Sequence, residues 1–412
     1  MKRILTILII IIVVALAGGM IFLSNLKTRA VPDYNRDVDL ENLTGEVTVF
    51  RDSLGIPHIY AQNENDLYRT VGFVMAQERL WQMDLLRRIT TGRLSEVLDP
   101  TLVNADQLFR ALQFQKKSEW VISETDPEIL ACVDAFADGV NQFIDQNQQK
   151  LPFEFTMLGY KPEPWKREHT FNLIGYMAWD LASGWGTEIA LFKMQQVLDE
   201  VRFRELLPDM DYQETYIFPG FKCAGKTLEM QPGIGDAIRI VKELGLEIFE
   251  ASNNWAVSGS RSKTGMPLMA NDMHLGLMAP GIWIQMHQVV EGSLNVTGVV
   301  LPGAPFIVAG HNENISWGMT NVTVDDIDFY LETIHPADSN QYRLDGMWKD
   351  MELVEEKIMV KGKEEPIVRV NRYTHRGPVV SEFRGVDNHV ISLRWQGREF
   401  TSAADHGQPD QQ

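Results

Sequence analysis

The chain has 412 residues, 44% apolar and 23% charged, a balance that excludes a mainly disordered polypeptide and allows roughly two to three domains with a large core. Lys and Arg number 38 against 56 Asp and Glu, a net charge of −18, which argues against a nucleic-acid partner because such binding needs a cationic face. Two cysteines, Cys132 and Cys223, make at most one bridge, which excludes a disulfide framework and a four-thiolate zinc site.

Met1-Lys2-Arg3 precedes residues 4–23, where Thr6 is the only polar side chain. As a helix this run would be about 30 Å long, the thickness of a bilayer core. A buried core helix would usually carry some polar face. The run therefore predicts export or anchoring, with the rest of the chain outside the cytoplasm. Ala15-Leu16-Ala17 offers a signal-peptide cleavage site, but apolar sequence continues to Leu23, which favours a retained anchor over residues 1–29. The flanking charges, Lys2 and Arg3 against Lys27 and Arg29, differ little across the span.

Residues 46–50 and 57–61 read as short strands around a turn at Ser53-Leu54-Gly55. A helix is expected over 66–89, where Leu67, Val71, Val74, Trp81, Leu85 and Ile89 recur at helical spacing and Asn65 is a candidate N-cap. Pro127 opens another helix, with Ile129, Val133, Phe136, Val140 and Phe143 on one face. Residues 171–198 read as mostly helical with a break near Gly184 and Gly186, residues 211–235 as an irregular Gly/Pro connector, and 236–244 as a short helix. From 252 the texture changes to strands, at 255–258, 268–271, 282–290, 294–300, 306–309, 315–320 and 391–395, with further hairpins. Helices first and strands second predict an α+β body.

Gly220 to Thr227 matches the phosphate-binding P-loop pattern. That loop works only between a strand and a helix, and the flanking Pro219 and Pro232-Gly233 deny it both. No G-x-S-x-G elbow and no H-E-x-x-H helix occurs. Three stretches look purposeful: Ser252-Asn253-Asn254-Trp255, Asn271-Asp272-Met273-His274, and Gly310-His311-Asn312 through Ser316-Trp317-Gly318-Met319-Thr320-Asn321 to Asp325-Asp326-Ile327-Asp328. Singly, each also reads as a turn, an incidental histidine or a solvated acidic loop.

Together with Asp52 to His58, Ala76 to Arg88, Gly92 to Glu96 and Leu158 to Trp165, these stretches resemble the penicillin amidase family of N-terminal nucleophile hydrolases. The resemblance implies a four-layer αββα core and a precursor that cuts itself before Ser252. It implies a first, mostly helical chain over 30–221, a spacer over 222–251 and a second chain from 252, the two chains forming a heterodimer. Ser252 would be the catalytic nucleophile. A serine hydroxyl needs a base, and a free α-amine with a pKa near ~7.7–8.0 is partly neutral at pH 7. The resemblance implies that His274 positions Ser252 by hydrogen bonding, that the Asn321 backbone N–H is an oxyanion donor, and that Val322 lines the acyl pocket. It implies a structural calcium ion held by Glu188, Asp325, the Ile327 carbonyl and Asp328, oxygen donors of the kind calcium takes, and no organic cofactor.

The expected substrate is a small N-acyl amide, whether a β-lactam side chain, an acyl-homoserine lactone or another amide. The family's second oxyanion donor, a substrate-site arginine and further calcium ligands would lie past residue 412, so residues 252–412 are expected to be the first part of a truncated second chain. The rival expectation is a non-catalytic envelope protein that keeps the fold.

Overall fold

The computed structural model describes residues 2–182, 188–189, 192, 194–195, 198–199, 201–203, 251–276, 278–321, 326–383 and 389–398. The expected connector at 211–235, the helix at 236–244, the P-loop match, Cys223 and all but the last residue of the 222–251 spacer lie outside those residues, as does the break at 183–187.

Seven helices are described: α1 (Lys2–Arg29), α2 (Glu64–Thr90), α3 (Val103–Ala111), α4 (Phe114–Glu124), α5 (Pro127–Gln146), α6 (Phe153–Leu158) and α7 (Arg167–Asp180). Strands dominate from 251 onward, so the body mixes helix and sheet in the expected sequence order. Within α1, Ile4–Phe22 is long and apolar enough to cross a membrane, and its side chains are exposed.

The chain divides into two units. The first comprises Met1–Thr90, Ser118–Ile174 and Glu250–Thr320. Its strands are β1 (Thr48–Arg51), β2 (Pro57–Ala61), β3 (Ala251–Val257), β4 (Leu268–His274), β5 (Ile284–Val290), β6 (Leu294–Val300), β7 (Ala309–His311) and β8 (Ser316–Trp317). Six of them form a sheet ordered β1-β2-β5-β6-β7-β8, while β3 and β4 pair with each other. The β2–β5 pair is parallel and the others are antiparallel. Along β5 every second residue is buried, at Ile284, Met286, Gln288 and Val290, as a sheet with one covered face requires. Ile284, Met286 and Val290 join Ile59 of β2, Leu67, Val71 and Met75 of α2, and Phe136 and Val140 of α5 in one apolar core.

Helices α2 and α5 cross at glycines. A Cβ on Gly139 would lie 1.8 Å from the Arg69 carbonyl oxygen, and one on Gly72 would lie 2.1 Å from that of Phe136. The obstacle is backbone on both sides, so no rotamer change relieves it. Gly139→Val should therefore lower stability by roughly 3 kcal/mol, the top of the usual overpacking range, read as a fall in the urea midpoint.

The first turn of α2 is capped by Asn63, whose Oδ1 accepts the Asp66 N–H at 2.9 Å; the expected cap at Asn65 is already inside the helix. The Asp66 carboxylate is fully buried and accepts from the Thr44 hydroxyl at 2.7 Å, the Thr44 and Gly45 N–H groups and the Asn63 amide. Burial pushes its pKa up, but these hydrogen bonds, the Thr44 hydroxyl foremost, outweigh it and hold the carboxyl below the usual range. Stabilisation of this sign is fully present above the unfolded value near ~3.9 and is lost as pH falls through the depressed folded value. Asp66→Asn should cost about 1–3 kcal/mol at pH 7 and flatten the acid limb of stability below pH ~4, as measured by urea unfolding at stepped pH.

Cys132 on α5 carries a free thiol, pushed up to about 11 by burial and then by Glu64, so it is an unreactive group at neutral pH.

The second unit comprises Thr91–Lys117, Gly175–Phe249 and Asn321–Gln412. It holds β9 (Ile327–Glu332), β10 (Ile334–His335), β11 (Asp338–Leu344), β12 (Met347–Asp350), β13 (Glu352–Ile358), β14 (Ile367–Tyr373) and β15 (Val390–Trp395). These form the sheet β10-β11-β12 and the pairs β13–β14 and β9–β15. Helix α3 packs on the β13–β14 hairpin through Val103, Ile358 and Val360. It is tied there by Arg110 to Glu356 at 3.0 Å and by Gln107 to Asn371 at 3.1 Å. Phe114 and Trp179 stack edge-on against Trp395 of β15, so the strand expected at 391–395 is a core element.

Candidate active site

Ser252 is the second residue of β3 and is half-buried. The β3–β4 register pairs Ala251 with His274, Ser252 with Met273, Asn253 with Asp272 and Asn254 with Asn271. Cross-strand partners share a face and successive residues alternate. Ser252 and Met273 therefore leave the ladder on one face, and His274 on the other. The imidazole does not turn toward the serine; its Nε2 lies 2.9 Å from Asp272 Oδ2, two residues back on the same face. The structure thus brings His274 beside the 251–252 peptide bond but not into contact with the Ser252 hydroxyl.

Two residues outside the expected set shape this end of the hairpin. Asn271 grips the segment after β8: its Oδ1 accepts the Met319 N–H at 2.9 Å and its Nδ2 donates to the Met319 carbonyl at 3.0 Å. The same amide lies 3.4 Å from the Asn253 carbonyl oxygen, one residue past the serine. Gly318 makes this approach possible, since a Cβ there would fall 2.6 Å from Asn271 Oδ1. Both residues stand in the stretches singled out from the sequence, but their pairing joins positions 47 to 48 apart, which no local pattern reveals.

The Ala76–Arg88 stretch is structural. Helix α2 kinks at Arg79, whose backbone leaves helical angles while its guanidinium donates to the Gly281 carbonyl at 2.7 Å. One turn on, Asp84 is buried between Arg87 and Arg88, both also buried. The Tyr160 hydroxyl donates to Asp84 at 2.6 Å, and the Arg88 guanidinium lies 4.6 Å from the Tyr160 ring centre. The tyrosine of the Leu158 to Pro162 stretch thus meets the acid of the first.

In the second unit, Asn321 is half-buried and its amide donates to the Leu181 carbonyl, just past α7, at 2.7 Å. Ile327 opens β9 with its side chain buried, and Asp328 beside it is exposed, accepting from Tyr330 at 3.4 Å. Glu188 is half-buried. These carboxylates and the Ile327 carbonyl are hard oxygen donors, a fit in kind for calcium. Among the described residues no group of three or more His, Cys, Asp or Glu side chains stands close enough to hold a metal ion. Val322 and Asp325 lie outside the described residues.

Residues 46–409 match the family model for penicillin amidase. The acyl-homoserine lactone acylase QuiP of Pseudomonas aeruginosa is 30% identical over 382 residues, covering 91% of this chain and 45% of that protein. The penicillin acylase 2 proenzyme of Pseudomonas sp. (strain SE83) is 31% identical over 366 residues, covering 85% of this chain and 46% of that protein. The chain thus spans about half the length of the curated relatives it matches. Among solved structures, the thermostable penicillin G acylase from Alcaligenes faecalis, in its tetragonal form, aligns with a TM-score of 0.34 at 25% identity, over 44% of this chain and 98% of that one.

Proposed function

Because the chain belongs to the penicillin amidase family, we propose that it is the precursor of an amide-hydrolysing acylase whose nucleophile is Ser252, freed by self-cleavage after Ala251. The observation that carries this reading is the family match over residues 46–409, a span that includes position 252. The half-buried place of Ser252 near the head of β3, behind a small residue, supports it. The proposed products are a first chain over 30–221, a spacer over 222–251 and a second chain beginning at 252, held together as a heterodimer within a four-layer αββα core. Residues 4–23 would anchor the protein and place it outside the cytoplasm.

In the proposed reaction the new α-amine of Ser252 takes the hydroxyl proton as Oγ attacks the acyl carbonyl. The family resemblance supports the Asn321 backbone N–H as the donor to the developing alkoxide, a role of the kind worth about 3 kcal/mol to the barrier. Val322 lines the acyl pocket. The amine leaves with a proton, and water then hydrolyses the acyl ester to a carboxylic acid. The register of β3 and β4 favours a specific place for His274. Because the residue in register with His274 is Ala251, the cut at 251–252 would fall beside His274, so its proposed role is toward the new amine rather than the hydroxyl. Calcium, held by Glu188, Asp325, the Ile327 carbonyl and Asp328, would supply a structural clamp in the second unit.

Relatives bearing the names acyl-homoserine lactone acylase and penicillin acylase support an N-acyl small-molecule substrate. The test is release of free amine by the purified chain from three acyl donors: phenylacetyl amides, glutaryl amides and N-acyl-homoserine lactones. Turnover of one class supports the reading, and a processed protein inert toward all three contradicts it.

A further inference from the structure

Among the described strands β3 and β4 pair only with each other, and no ladder joins β4 to β8, the last strand of the six-stranded sheet. A side chain makes that link. In the β3–β4 register Ser252 is opposite Met273, and Asn254 is opposite Asn271. Asn271 therefore leaves the hairpin on the face of Ser252, as its diagonal neighbour at roughly 7–8 Å, while His274 is on the other face. The Asn271 carboxamide pairs with one residue of the segment after β8: Oδ1 accepts the Met319 N–H at 2.9 Å and Nδ2 donates to the Met319 carbonyl at 3.0 Å. The second hydrogen on Nδ2 is available to the Asn253 carbonyl oxygen, 3.4 Å away. One amide thus ties the residue after Ser252 to the residue two before Asn321.

Asn321 follows Met319 by two residues, which span at most about 7 Å. So short a stretch passes a displacement of Met319 on to the Asn321 amide. We propose, on the acylase reading above, that Asn271 is a positioning residue, which sets where the Asn321 backbone N–H stands relative to the Ser252 hydroxyl. On that reading the two groups meet the same acyl carbonyl, and their spacing decides how well the developing alkoxide is held. Gly318 is the second part of the device. A Cβ there would fall 2.6 Å from Asn271 Oδ1 and 2.8 Å from Asn271 Cβ. The latter atom is the root of the side chain, so no rotamer of Asn271 relieves the clash. The Gly318 φ lies outside the left-handed range, so the glycine answers this close approach and not a backbone demand.

The test compares Asn271→Ala, Asn271→Asp and Gly318→Ala with the parent, each as the full-length chain, on phenylacetyl amides, glutaryl amides and N-acyl-homoserine lactones. Rates are expressed per chain cleaved at 251–252, counted on a denaturing gel. Asn271→Ala should lower kcat about 100-fold, the usual result of a misplacement near ~1 Å. KM should change little, the pattern of an interaction that acts in the transition state. Asn271→Asp keeps the shape and the acceptor for the Met319 N–H but has no donor for either carbonyl, so it should not restore kcat. Gly318→Ala should lower kcat with Asn271 intact. A merely structural role would lower the urea midpoint and the yield of cleaved chain, and leave kcat per cleaved chain at the parental value. That result, with an active parent, overturns the role of Asn271 alone. A parent inert toward all three donors overturns the acylase reading and the role of Asn271 with it.

Discussion

Ser252→Ala is expected to leave the polypeptide as a single chain and to abolish acyl transfer, a loss of about 10^4-fold or more in kcat. The size follows from what the residue does in the proposed reaction. Its hydroxyl is the nucleophile in self-cleavage and again toward substrate, and its liberated amine is the base. His274 cannot substitute, because it leaves the hairpin on the opposite face and is engaged with Asp272. Fold should be untouched, since the hydroxyl of a half-buried strand residue contributes little to the core. A denaturing gel and an amine-release assay read the two losses together. Ser252→Cys provides the contrast: a thiolate is a competent nucleophile, so some cleavage should persist.

Asp84→Ala is the substitution expected to damage stability most. Asp84, Arg87 and Arg88 are each 2% exposed, and the carboxylate is the counter-charge for both guanidiniums. Removing it takes away the carboxylate buried between the two guanidiniums and leaves Arg87 with the half-exposed Glu163 at 3.3 Å, a loss that costs about 3–5 kcal/mol. Tyr160→Phe should cost less, about 1.5–3 kcal/mol, because one hydrogen bond to the carboxylate is lost while the ion pairs stay and the ring remains beside Arg88. Urea unfolding of the two variants separates the contributions. Equal effects would mean that the hydroxyl, not the charge balance, holds the cluster together.

Much of the fold was legible because burial follows simple periods. The strand expected over 282–290 is β5, buried at every second residue, and the stripe after Pro127 is buried at Val133, Phe136, Val140 and Phe143, while Ile129, expected on the same face, is exposed. Helix α3 was not legible. It is buried nearly all round, and its Asp106 and Gln107 interrupt any apolar stripe; Asp106 instead accepts the Leu94 and Ser95 N–H groups at 2.7 and 2.8 Å. The α2 cap is Asn63 and not the expected Asn65, because the geometry of the preceding loop, which no local pattern reveals, decides which side chain reaches the Asp66 N–H.

The candidate site was legible as a set of positions and not as an arrangement. The motifs name Ser252 and His274, yet which face each occupies depends on strand register, and a shift of one residue reverses it. The grip of Asn271 on Met319 links distant segments, so it leaves no local trace.

The central claim is tested most directly by the intact mass and N-terminal sequence of the mature protein. The account predicts a fragment that begins with Ser252 and a separate first fragment ending at or before Ala251. A protein that releases amine from an N-acyl substrate while still continuous across that junction would contradict it.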